Sequence, residues 1–182
     1  MYKYFIKYGK ILFDQKLVNL HSGNLSVVDD EHIFITRTGS QLGDLTCKEI
    51  IKVNLSDDTK DAGASVETKV HRAIYLGCPE IKAVAHAHTP YATALSMKRD
   101  MIELSDTEGK LYIPKVPVLC CEETIGSQEV ADNLPALISK YKIAVIKGHG
   151  TFSGGKDLEE ATSNLMTLES SCQILLLLDL YK

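Results

Sequence analysis

The sequence predicts an α/β fold: a central sheet of mostly short strands, largely antiparallel or mixed, with helices on both faces. Short strand-like runs recur along the chain, among them Ile81 to His88, Val116 to Cys121 and the wholly apolar Ile143-Ala144-Val145-Ile146. Longer stretches place apolar residues at helical spacing. The two kinds of element do not alternate strictly, as an all-parallel sheet would require, so antiparallel pairing dominates the expectation.

Residues 2–17 carry Phe5, Tyr8, Leu12 and Phe13 between lysines, an amphipathic opening helix. Asn19 to Val28 begins as a glycine-containing loop and ends as a strand; Asp29-Asp30 turns the chain into a second strand, His32 to Thr36, giving a hairpin. Arg37-Thr38-Gly39-Ser40 is a polar loop. Thr46-Cys47-Lys48-Glu49 has the spacing of a capping box, so a helical turn precedes a strand through Ile50, Ile51, Val53 and Leu55. Ser56 to Gly63 reads as an exposed turn. Ser65 is placed to cap a helix with Val66, Val70, Ala73 and Ile74 inward, ended by Gly77 and Pro79.

After Ile81 to His88, Thr89 and Pro90 are suited to cap and open a short helix. Met97 to Leu111 reads as irregular. Ser127 caps a helix to about Tyr141 with a kink or break at Pro135, and Thr151 to Gly155 adds a short strand and turn. Asp157 and Glu160 open the last helix, whose inward stripe is Leu158, Ala161, Leu165, Leu168, Cys172 and Leu175. Its apolar tail, Leu175 to Leu178, is expected to be buried within the subunit or against a neighbour.

The bulk numbers narrow the function. A length of 182 residues suits one domain, 1–182, and 45% hydrophobic with 24% charged residues is an ordinary globular balance. Net charge is −4 with no basic block, which argues against a nucleic-acid surface. The five cysteines are odd in number and form no Cys-x-x-Cys, so reduced thiols are expected rather than a disulfide framework. The lysine-interrupted start is no signal-peptide core, and the run Ile174 to Leu178 is too short to span a bilayer; a cytoplasmic protein off the membrane is expected.

The chemistry concentrates around His86-Ala87-His88. Side chains alternate along a strand, so Val84, His86 and His88 share one face and the two rings can share one metal ion. His149, in Gly148-His149-Gly150 beyond a second apolar strand, is the third candidate ligand. Strand histidines are often just polar residues on a half-exposed face, and Gly-His-Gly is often just a turn; together the three fit a catalytic zinc with an open position. Glu67 is the candidate carboxylate, although a glutamate in a first helical turn also complements the helix dipole. His71 lies one turn later on the same face, where packing is the simpler role and orientation of a site residue the lesser one. Ser22-Gly23-Asn24, Thr38-Gly39-Ser40 and Ala64-Ser65 are each capable of holding an oxyanion.

In order, Ser22-Gly23-Asn24-Leu25-Ser26, Thr38-Gly39, Ser65-Val66-Glu67 with His71, His86-Ala87-His88 and Gly148-His149-Gly150 resemble the class II aldolase/adducin family, over nearly the whole chain. The likeness is greatest to the branch that acts on L-fuculose 1-phosphate-like ketose 1-phosphates. It implies a three-layer α/β/α sandwich around a mainly antiparallel sheet. It also implies Zn2+, or another divalent metal, on His86, His88 and His149, with Glu67 as catalytic acid/base. Asn24, Thr38, Gly39 and Ser65 fall where the family binds the substrate phosphate. The implied reaction is reversible cleavage to dihydroxyacetone phosphate and a short aldehyde such as lactaldehyde, in a homotetramer with sites between subunits. Relatives acting as sugar-phosphate epimerases or methylthioribulose-1-phosphate dehydratases, and the non-catalytic adducin branch, are the alternatives. Three departures stand out: Val66 replaces a second serine, Ser105 to Gly109 replaces a stretch that carries a proton-donating tyrosine in some members, and the sequence ends at Lys182 without a longer tail.

Overall fold

The computed structural model describes residues 1–59 and 61–180. Lys60, within the expected turn from Ser56 to Gly63, and Tyr181 and Lys182, at the end of the expected 1–182 domain, lie outside the described residues. Among the described residues, eight strands form one sheet: β1 (Asn24–Asp29), β2 (His32–Thr36), β3 (Ile50–Asn54), β4 (Ala83–Ala87), β5 (Met101–Glu103), β6 (Lys115–Leu119), β7 (Ile143–Ile146) and β8 (Gly150–Gly155). Their spatial order is β3-β2-β1-β4-β8-β7-β6-β5. Neighbours are antiparallel except β6 and β7, which run parallel.

Among the described residues, six α-helices cover the sheet: α1 (Tyr2–Asp14), α2 (Thr68–Gly77), α3 (Pro90–Ser96), α4 (Thr107–Tyr112), α5 (Gln128–Tyr141) and α6 (Leu158–Asp179). Strand alternation divides the core in two. Ala83, Ala85 and Ala87 of β4 face Phe5 and Leu12 of α1 and Leu165 and Leu168 of α6. Val84, between them, faces the other way, with Val70 and Ile74 of α2 and Leu134 and Ile138 of α5. Helices therefore lie on both faces of a mainly antiparallel sheet, the three-layer α/β/α sandwich expected.

Several local expectations are corrected. Ser65 does not cap α2: its N–H bonds Thr36 O, its carbonyl accepts from Thr68 N, and the helix starts after Glu67. Val66 consequently points outward and is 64% exposed. Met97 to Leu111 is not irregular; β5 adds to the sheet edge, and Asp106 caps α4 by accepting from Gly109 N at 3.0 Å. Pro135 lies inside α5 without ending it. Of the α6 tail, Leu175 and Leu176 pack partly against this chain's core, whereas Leu177 and Leu178 are about half exposed.

Candidate active site

β4 delivers the site. Its partners on either side are β1, where Asn24 pairs with His86, and β8, where Phe152 pairs with His86. His86 is buried, and its ring stacks on that of Phe152 with centroids 4.1 Å apart. His86 Nδ1 donates to Thr151 O at 3.1 Å, which leaves the Nε2 lone pair facing the cluster. His88 follows the end of β4, its N–H held by Leu17 O. His149 sits in the β7–β8 turn, where Gly148 takes a left-handed φ of +70° and His149 N bonds Ile146 O. The ligand atoms of His86, His88 and His149 all lie within 4.8 Å of one another.

Gly150 makes this convergence possible. A Cβ there would stand 2.6 Å from Ala87 O, 3.0 Å from His86 Cε1 and 3.1 Å from His88 Cδ2. Gly23 likewise takes a left-handed φ and leaves no room for a Cβ beside His86 O.

Glu67 reaches the same place from the opposite layer. It is the N-cap residue of α2 but its side chain makes no capping bond; the side chain turns to the sheet, and the residue is 2% exposed. Its Oε2 accepts from Asn24 Nδ2 at 2.9 Å and stands 3.3 Å from His86 Nε2. Burial drives the Glu67 carboxyl up to about 7, against hydrogen bonds from Asn24 and the Gly126 backbone that favour the ionised form. Burial pushes His86 well below its ordinary value and His88 down to about 4, with the neighbouring imidazoles adding to both shifts. His149 is lowered by burial against a hydrogen bond to the Thr124 backbone. The three rings are thus neutral at pH 7, and the 3.3 Å approach of Glu67 to His86 is not an ion pair.

These features fit a divalent cation. Neutral imidazoles are good donors to such ions, and three of them leave room for substrate oxygens. Among the described residues, His86 Nε2 is buried without a hydrogen-bond partner, a costly arrangement unless something else engages it.

Around this centre, Thr38 Oγ1 donates to Ala64 O at 2.6 Å and Thr38 N bonds Gly63 O, which brings Thr38 and Gly39 beside Ser65. Gly39 has a φ of +76° and open space where a Cβ would be. Asn24, also expected at the phosphate, lies on β1 with its side-chain amide engaged by Glu67 and His71. A groove of about 980 Å³ between α1, α3 and α6, bordered by Lys7, Met166 and Glu169, contains none of these residues.

Sequence reading missed the segment from Thr124 to Gly126, whose backbone meets both His149 and Glu67. Its only local signal is Gly126, which adopts φ +58° and whose Cβ would collide with Val66 O. Phe152 was also missed; alternation along β8 places it opposite His86 only once the β4–β8 register is known.

Residues 3–176 match the class II aldolase and adducin N-terminal domain family. This chain belongs to that family. It is 32% identical over 170 residues to the L-fuculose phosphate aldolase of Methanococcus maripaludis, with 93% of each chain covered. It is equally 32% identical over 180 residues to the 3-oxo-tetronate 4-phosphate decarboxylase of Pectobacterium atrosepticum, covering 95% of this chain and 82% of that one. The crystal structure of L-fuculose-1-phosphate aldolase from Thermus thermophilus superposes with a TM-score of 0.95 at 34% identity, over 99% of this chain and 94% of that one. As a class II aldolase family member, the chain is an enzyme of the metal-dependent lyase type.

Proposed function

We propose that this enzyme, a domain spanning 1–182, reversibly cleaves an L-fuculose 1-phosphate-like ketose 1-phosphate into dihydroxyacetone phosphate and a short aldehyde such as lactaldehyde. The observation that carries the proposal is the buried Glu67 carboxylate 3.3 Å from His86 in a cluster of three neutral imidazoles. His86, His88 and His149 hold the metal, with Zn2+ favoured by the donor set and another divalent ion able to serve. When bound, the cation supplies Lewis-acid stabilisation of negative charge developing on the substrate's oxygens.

The chain's own residues supply the rest. In the aldol direction Glu67 removes a proton from the hydroxymethyl carbon beside the carbonyl; in cleavage it returns one to that carbon. A carboxyl held near neutrality suits both directions. Thr38, Gly39 and Ser65 form the phosphate seat, joined by the Asn24 backbone because its side chain serves Glu67. Binding there orients the reacting carbons and keeps remote binding energy available to the reaction. The working unit is a homo-oligomer, a tetramer with sites between subunits, in the cytoplasm.

A second reading is favoured by the decarboxylase from Pectobacterium, which is as similar in sequence as the archaeal aldolase. Incubating metal-loaded protein with ketose 1-phosphates and with 3-oxo acid phosphates separates the two: aldehyde appears in one case, carbon dioxide in the other. Phosphorus NMR of the products distinguishes cleavage from epimerisation or loss of water. Chelation should abolish cleavage and metal restore it. No aldehyde from any ketose 1-phosphate overturns the aldolase proposal.

A further inference from the structure

We propose that His71 is a positioning residue for this reaction, acting through Asn24 to hold the Glu67 carboxylate. The proposal rests on Glu67 being the acid/base. Its basis is a continuous buried chain of hydrogen bonds. Asn24 Nδ2 meets Glu67 Oε2 at 2.9 Å, and Asn24 Oδ1 meets His71 Nε2 at 2.5 Å. His71 Nδ1 meets Ser26 Oγ at 2.6 Å, and Ser26 Oγ meets the Tyr75 hydroxyl at 2.6 Å. Beyond Tyr75 lies a backbone hydrogen bond from Val84.

The pattern follows from matched repeats. Asn24 and Ser26 are two apart on β1, about 6.8 Å along a strand. Glu67, His71 and Tyr75 are spaced by four along α2 and the residue before it, about 6 Å per step along a helix. Two ladders of nearly equal pitch face each other, so their polar groups interleave: Glu67, Asn24, His71, Ser26, Tyr75.

Donor and acceptor chemistry fixes the direction of the chain. A carboxylate can only accept, so Asn24 presents its NH2 to Glu67 and its oxygen to His71. His71 Nε2 must then carry the proton. The buried ring is neutral, so Nδ1 accepts and Ser26 O–H donates to it. Ser26 Oγ in turn accepts from Tyr75 O–H. Every donor points toward Glu67, and each bond polarises the next. With His71 removed, Asn24 Oδ1 loses the donor that fixes which way the amide is turned, and the Asn24 NH2 is less firmly held toward Glu67. A purely packing role for His71 would require no such direction.

Two measurements test the proposal. Nitrogen-15 NMR of the metal-free protein should show His71 as the Nε2–H tautomer with a slowly exchanging ring proton; an Nδ1–H tautomer reverses the chain and overturns the proposal. In the metal-loaded enzyme, His71→Gln should lower kcat about ten-fold with KM little changed. In a Glu67→Gln background the same substitution should cost nothing further, because both act on one group. An equal loss in both backgrounds would assign His71 to the fold alone and overturn the proposal. Should His71→Gln fail to fold, Ser26→Ala serves in the same cycle with a smaller loss expected in the Glu67 background only. If no ketose 1-phosphate is cleaved, the reaction class fails, while the tautomer still decides whether the chain points at Glu67.

Discussion

Glu67 shows how little local sequence says about a residue's work. Its position ahead of a helix suits a dipole partner, yet the side chain faces Asn24 and His86 across the layer interface. Glu67→Gln keeps the shape and removes the titratable proton; kcat should fall by about 10² to 10⁴ while metal content and circular dichroism stay unchanged. His71 leads to a separate prediction about stability. Burial holds it down to about 3, against an ordinary value of 6.5. Between those values the unfolded chain binds a proton that the native chain refuses. Its contribution is therefore complete above about pH 6.5 and is lost as pH falls toward 3, by about 1.4 kcal/mol per unit. Thermal unfolding at pH 7 and pH 5 should show the lower melting temperature at pH 5, and a shallower pH dependence in His71→Gln.

Among the elements, β4 and the segments around it decide whether the imidazoles meet. The strand and its alternation were legible from Ala83 to Ala87, since alanines and histidines pick opposite faces. The role of Thr89 was not. Its hydroxyl pairs with Thr151 at 2.6 Å instead of capping α3. The cap comes from α6, where Glu169 accepts from Tyr91 N at 2.9 Å and Ala92 N at 3.1 Å. Glu169→Ala should destabilise the protein by roughly 1–2 kcal/mol, read by denaturant unfolding, because one buried and one partly buried N–H group lose their acceptor. Gly150→Ala should act on the site directly. Its methyl would press on Ala87 O and both histidine rings, so metal affinity measured by calorimetry should drop by at least about ten-fold. Retained affinity would mean that β8 can shift without disturbing the cluster.

At the level of the whole molecule, the apolar end of α6 is the feature that one chain leaves open. Ile174, Leu177, Leu178 and Leu180 are 39, 49, 52 and 79% exposed. Contiguous exposed leucines on a helix are expected to be covered by another subunit. Replacing Leu177 and Leu178 by lysine should shift the protein to smaller assemblies in analytical ultracentrifugation without loss of helix content. Unchanged assembly would place the subunit contact elsewhere.

The sequence by itself pointed to helices on both faces of a mainly antiparallel sheet, to the alternation of faces along β4, and to His86, His88, His149 and Glu67 as candidate site residues, because each rests on short-range periodicity or on an ordered set of motifs. It could not show that Asn24 turns to Glu67 rather than outward, that Gly126 and Thr124 close the site, or that Val66 is exposed. Those outcomes depend on β1 pairing with β4 and on α2 packing over both. Such contacts join residues some 40 or more positions apart, as Asn24 and Glu67 are by 43. No local spacing encodes them; the register between strand and helix does, and that exists only in the folded chain.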